Sequence, residues 1–182
     1  AMSIRQNVGR LTLSAGGIAA LFAAEGFVTS PMLPNKHDRP TICWGNIFYA
    51  DGSPVKLSDS PVTKEECLVI AAAHLKKDEA AFARTIANVS LYQEEYDIYR
   101  DFVYQYGVAT WNNSSMARRL RVGDHAGACR ALLLYKNITI QKDGRPQRFD
   151  CSTPNNKICR GVWTRQLERY DGCMAAQKKE DV

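Results

Sequence analysis

Prolines decide how this chain can be divided. Five of the seven lie between residues 28 and 62, at positions 31, 34, 40, 54 and 61. A proline fixes its own φ, lacks an N–H and clashes with the preceding helical turn, so no long helix can cross that stretch. Residues 41–49 are instead rich in β-branched and aromatic side chains, and Asp51-Gly52 follows as a hairpin-turn signal. The stretch reads as a small, irregular β lobe. On both sides of it the periodicity is helical. The chain is therefore predicted as α+β in one domain, residues 1–182: one helix, a β lobe over 28–62, then a helical lobe over 63–176.

The helical parts carry their own punctuation. Residues 1–10 read as a loose lead-in. Ser14 can cap a first helix running to about Glu25, although Gly16-Gly17 weakens its first turn. Thr63-Lys64-Glu65-Glu66 fits a capping box. Leu68, Ala71, Leu75, Phe82, Ile86 and Val89 then recur near the helical period, which predicts a long amphipathic helix to about Asn88. A second runs from about Tyr92 to Tyr106 and ends at Gly107. Trp111-Asn112-Asn113-Ser114 reads as a break. Ser114 or Ser115 caps a short helix over 116–122, and Asp124 caps another to about Tyr135. Residues 136–160 are polar and read as a long loop. A last helix spans 161–174, and the charged tail from residue 177 is expected to fray.

No run of about 18 apolar residues exists, so no segment of this sequence is expected to span a membrane. Ala1-Met2 has the look of a cloning remnant, which leaves room for an export segment upstream. The formal charge of +5 fits ordinary solubility or attraction to a polyanion. Nucleic acid and the acidic bacterial cell wall both qualify as polyanions. No Arg/Lys block with interleaved aromatics and no zinc-finger or RNA-binding signature occurs, which argues against nucleic acid. Six cysteines without a CxxC pair, and three scattered histidines, argue against a metal site and for disulfides formed in an oxidising compartment. Cys151 and Cys159 bracket a polar, turn-rich loop that a disulfide would close. Cys129 with Cys173 and Cys43 with Cys67 would be the remaining pairs, although spacing alone leaves the connectivity open.

One carboxylate stands out. Ile18, Leu21 and Phe22 precede Glu25 by seven, four and three residues, which predicts Glu25 on the buried stripe of the first helix. Desolvation there would favour the acid form, the form that general-acid cleavage of a glycosidic bond requires. The plainer alternative is a helix-end glutamate at the surface.

Taken with its neighbours, this residue gives the chain a resemblance. Leu13-Ser14, Ile18 and Glu25-Gly26-Phe27, then Thr41-Ile42-Cys43-Trp44-Gly45, then Thr63-Lys64-Glu65-Glu66-Cys67 resemble the T4-type phage lysozymes, or endolysins. Phe102-Val103-Tyr104-Gln105-Tyr106-Gly107 resembles that family's aromatic–Asn–x–Gly segment. Ser114-Ser115-Met116, Arg119-Leu120, Gly123-Asp124 and Gly127-Ala128-Cys129 resemble its central run. Gly161-Val162-Trp163-Thr164-Arg165 with Glu168-Arg169 resembles its closing helix. The likeness spans about residues 11 to 174 in consistent order, and the cysteines at 43, 67, 129 and 173 resemble those of exported members.

The resemblance implies a lysozyme-like α+β fold, mostly helical with the small β lobe after the first helix. It implies hydrolysis of the β-1,4 bond between N-acetylmuramic acid and N-acetylglucosamine in peptidoglycan, with no cofactor, by a monomer acting in the periplasm or delivered to a target wall. Glu25 matches the family's general acid and Thr41 its threonine, which helps place the attacking water. The family's aspartate sits six residues before the threonine, and that position here is Asn35. A neutral amide cannot deprotonate water. Asp38 is taken as the base or electrostatic partner in its stead. Arg165 is expected to pair with Glu25, with an exposed structural role as its alternative, and Gln105 and Trp111 to line a saccharide cleft, Trp111 with lobe packing as its alternative. The setting would be phage lysis or a bacterial antagonism toxin. A wall-binding module that has lost its chemistry is the competing reading, and Asn35 keeps it open.

Overall fold

In a computed structural model, the structure describes residues 4–23 and 25–181; residues 1–3, Ala24 and Val182 lie outside the described residues. The lead-in is ordered rather than loose. Strand β1, Gln6–Asn7, pairs antiparallel with a later two-residue strand, and Val8 is buried at the head of a 3-10 turn, Val8–Arg10. Helix α1 is short, Ala15–Leu21, with Ser14 Oγ accepting from Gly17 N as its cap. Ile18 and Leu21 are buried, as their spacing predicts. The helix stops four residues before Glu25, at a Phe22 cap whose N–H already bonds back to Ala20 and Ile18.

The β lobe holds β2, Val28–Met32, and β3, Thr41–Cys43, paired antiparallel with an irregular register between Val28↔Cys43 and Met32↔Thr41. Regular strand covers only three residues of the stretch 41–49. Single bridges, Ile42↔Asn46 and Phe48↔Pro54, hold the rest. The Asp51-Gly52 turn forms, with Gly52 at φ 85°, where a side chain would be strained. A small core of Ile42, Val55, Ile70 and the Cys43–Cys67 disulfide fills the lobe.

Helix α2, Lys64–Thr85, begins with the complete capping box of Thr63 and Glu66. Strand β4, Ser90–Leu91, is the partner of β1. Helix α3, Gln93–Tyr106, is the axis of the larger core and ends at Gly107, φ 86°. The expected break near Trp111 begins later than the sequence suggests, because Val108–Asn112 forms helix α4. Ser114 caps α5, Ser115–Arg121, and Asp124 caps α6, His125–Ala131. The segment expected to remain helical to Tyr135 tightens into a 3-10 turn, Leu132–Leu134.

The stretch read as a long loop is a hairpin. Strands β5, Asn137–Lys142, and β6, Arg145–Asp150, pair over six rungs around Asp143-Gly144. Both turn residues have positive φ, 53° and 72°, the twist that matches a two-residue hairpin. Helix α7, Arg160–Gln177, closes the fold, followed by a 3-10 turn at Lys178–Asp181 rather than a frayed tail. All three expected disulfides form: Cys43–Cys67, Cys129–Cys173 and Cys151–Cys159. No described helix is long and apolar enough to cross a membrane.

Candidate active site

Glu25 stands in the turn between α1 and β2, and this corrects the sequence expectation. The carboxylate is exposed, not on a buried stripe, so the desolvation on which that expectation rested is absent. The helical period was extrapolated past Phe22, where α1 has already ended. The turn itself is well held. Glu25 N donates to Phe22 O at 2.8 Å. Trp44 stacks on Phe22 at 5.5 Å and tilts against Phe27 at 4.9 Å. Aromatic contacts on both sides of Glu25 thus clamp its turn to the residue that follows β3. Such contacts contribute about 1 kcal/mol each beyond burial. Trp44 also packs against both hydrophobic clusters, so the clamp sits where the two lobes meet.

Thr41 heads β3 opposite Met32, and its Oγ1 lies 3.5 Å from the Met32 carbonyl, the long limit of a hydrogen bond. The same ladder that seats Glu25's turn therefore carries Thr41. Asp38 and Asn35 face each other in the exposed loop between the strands. Asn35 Nδ2 donates to Asp38 Oδ2, Asn35 Oδ1 accepts from His37 N at 3.0 Å, and Asp38 N donates to Asn35 O at 3.2 Å. The position where the family keeps its aspartate and the nearest carboxylate are thus in direct contact.

The helical lobe approaches from the other side through Tyr104, whose ring meets Phe22 edge-on at 5.5 Å. Burial raises the pKa of the Tyr104 hydroxyl, the negative charge of Glu25 raises it further, and Arg165 opposes both. Glu25 and Arg165 thus act on one phenol with opposite signs. They form no ion pair with each other. Arg165 Nη2 instead donates to Asp101 Oδ1 at 2.7 Å, and Arg169 Nε donates to Asp101 Oδ2 at 2.8 Å. Asp101 is nearly buried and offers two oxygens to two guanidiniums, a stronger arrangement than an exposed glutamate would give Arg165. Gln105 is exposed, and its Oε1 accepts from Arg169 Nη2 at 2.8 Å.

Trp111 is not at the cleft. It is fully buried among Phe82, Tyr99 and Phe102, and its indole N–H donates to Thr85 Oγ1 at 2.8 Å. It packs the core of the helical lobe and cannot line a saccharide groove. The residues missed from sequence are Phe22, Trp44, Tyr104, Asp101 and Arg169. Asp101 and Gln105 one turn apart on α3, and Arg165 and Arg169 one turn apart on α7, carried a readable signal of two facing polar stripes. Among the described residues no cluster of histidine, cysteine or carboxylate side chains could hold a metal ion.

No curated protein matches the sequence. Among solved structures the chain is similar to the endolysin from Escherichia coli O157:H7 phage FAHEc1, at 24% identity over 94% of this chain and 96% of that one, TM-score 0.60. It is similar to a point mutant of P22 lysozyme, at 22% identity over 90% and 99% of the two chains, TM-score 0.63. It is also similar to the muramidase domain of SpmX from Asticaccaulis excentricus, at 18% identity over 91% and 99%, TM-score 0.58. These likenesses establish the lysozyme-like fold. The phage lysozyme family model matches residues 23–148, more than half of the chain, and that span takes in Glu25, Asp38 and Thr41. The chain belongs to the phage lysozyme family.

Proposed function

We propose that the chain is a muramidase, a glycoside hydrolase that cleaves the β-1,4 bond between N-acetylmuramic acid and N-acetylglucosamine in bacterial peptidoglycan. The observation that carries this reading is the clamp of Phe22, Trp44 and Phe27, which fixes the Glu25 turn against the ladder bearing Thr41. Glu25 is the general acid that protonates the leaving oxygen. Thr41 helps place the attacking water. Asp38 supplies the second carboxylate, as base or as electrostatic partner of the developing positive sugar. Asp101 holds Arg165, whose charge acts on the Tyr104 hydroxyl in opposition to that of Glu25. Gln105, whose amide nitrogen has no partner among the described residues, is available to a saccharide hydroxyl. Three disulfides and a monomeric chain suit work in the periplasm or at a target cell's wall.

The test is clearing of a peptidoglycan suspension by the purified chain and by Glu25→Gln. The substitution is expected to cost about 10²–10⁴-fold, the usual weight of a general acid. Equal clearing by both would remove Glu25 from the mechanism. One observation favours a second reading, a wall-binding module without catalysis: Asn35 occupies the place of the family's aspartate. That reading requires the parent chain to sediment with walls while releasing no reducing ends.

A further inference from the structure

A concave site whose lining includes no residue of the Glu25 turn lies on the helical lobe. Helices α5 and α6 pack together and frame a cavity of about 510 Å³. Ser115, Arg118 and Arg119 line it from α5, Arg130 and Ala131 from α6, and Leu134 from the turn that follows. Residues spaced by three and four positions share one helix face, so each helix presents a single stripe to the cavity. Gly127 lies on the same face of α6, where a Cβ would collide with the Asp124 carboxylate that caps the helix.

The charges are poorly compensated. Three guanidinium groups line the cavity and, among the described residues, no carboxylate does. Arg119 reaches Asp124 at 3.1 Å. Arg118 is held only by neutral partners, Ser115 Oγ at 3.0 Å and the Asn113 carbonyl at 3.4 Å. Arg130 forms no hydrogen bond or ion pair among the described residues. The three guanidiniums repel one another across the concavity, and among the described residues only Arg119 has an acidic partner. A guanidinium presents a planar fork of donors that matches phosphate oxygens two at a time. Leu134, 62% exposed, adds an apolar edge beside the charges. The volume exceeds the needs of a single inorganic ion and leaves room for a diphosphate or a phosphate ester.

We propose that the α5–α6 cavity is a phosphate-binding site, with Arg118 and Arg130 gripping the oxyanions and Arg119 completing the positive wall. The phosphate is carried either by a soluble diphosphate or by an anionic lipid headgroup. The site is separate from the glycosidic chemistry and stands whether or not that chemistry is confirmed.

The test titrates inorganic pyrophosphate into the whole chain by calorimetry, in parallel with Arg118→Gln/Arg130→Gln and Arg118→Lys/Arg130→Lys. The parent is expected to show saturable one-to-one binding. The glutamine pair is expected to weaken it by about tenfold or more, the effect of losing charged hydrogen bonds, and the lysine pair by less. Melting curves are expected to show both variants folded, since neither removes a compensating charge. Cosedimentation with phosphatidylglycerol vesicles, against phosphatidylcholine, identifies the source. Vesicle binding displaced by pyrophosphate supports a headgroup, and pyrophosphate binding without vesicle binding supports a soluble diphosphate. Absence of saturable pyrophosphate binding, or equal affinity in the parent and the glutamine pair, overturns the proposal.

Discussion

At the residue scale the loop between β2 and β3 is the sharpest point of the account. Asn35 and Asp38 are hydrogen-bonded to each other, so a carboxylate at either position would occupy nearly the same space. We expect Asp38→Asn to lower hydrolysis of purified walls heavily and Asn35→Asp to change it little. The reverse ranking would mean that the acidic partner belongs at position 35. Asp101 offers a second residue-scale test. Asp101→Asn keeps the shape but weakens the grip on Arg165 and Arg169. It is expected to reduce activity by roughly tenfold, in line with the loss of about 1.5–3 kcal/mol from a hydrogen bond to a charged group. It also leaves two guanidiniums unneutralised, so the melting temperature should fall with it. Full activity in that variant would mean that Arg165 has no positioning role.

At the element scale, punctuation residues were read well and periodicity was over-extended. Thr63 with Glu66, Ser114 and Asp124 cap helices as expected, because a side-chain oxygen three residues before a free N–H is a local matter that tertiary context rarely overrides. Thr63→Ala is expected to cost about 1 kcal/mol of stability in denaturant unfolding, because it removes the hydroxyl that accepts from Glu66 N and leaves the backbone N–H of residue 63 bonded to Glu66. The ends of helices were harder to see. Helix α1 stops at Leu21 because the Glu25 turn has to fold back onto Trp44, a contact between residues that the sequence alone does not pair. For the same reason the helical period puts Glu25 on a buried stripe, whereas its turn leaves it exposed. The β5–β6 hairpin was missed although Asp143-Gly144 is the same turn signal that was accepted at Asp51-Gly52. Ile138 and Ile140 alternate along β5, but β6 carries no such pattern and both strands are mostly exposed. Trp111 shows the converse. Expected at the cleft, with lobe packing as the alternative, it lies on α4, an element too short to leave a periodic trace, and is fully buried.

At the scale of the whole molecule, the ends of the chain meet on one buried acid. Glu95 is fully buried on α3 and accepts from Arg5 at 2.9 Å, Tyr92 N at 2.9 Å and Gln177 at 3.1 Å, with His125 Nδ1 at 3.2 Å. Burial works against its ionised form, but His125, Arg5, Tyr92 N and Gln177 together outweigh it and hold the pKa down at about 2. A carboxylate whose pKa is depressed on folding contributes stability above its unfolded value, and that contribution disappears as pH falls toward the folded one. The melting temperature is therefore expected to drop between about pH 4.5 and pH 2, with roughly 3 kcal/mol at stake. Glu95→Gln should be less stable at neutral pH and lose less across that window; an unchanged acid limb would show that this cluster does not couple the termini to the core. Reduction of the disulfides should act at the same scale. Cys43–Cys67 joins the β lobe to the first turn of α2, and breaking it is expected to cost about 2–4 kcal/mol. All of this scaffolding serves one claim, that the clamped Glu25 turn cuts glycan strands at muramic acid. The direct measurement is mass spectrometry of borohydride-reduced fragments released from purified peptidoglycan. The account expects reduced N-acetylmuramic acid at the new ends, in amounts that vanish with Glu25→Gln. Reduced N-acetylglucosamine, anhydro-sugar ends, or no released fragments from the parent chain would contradict it.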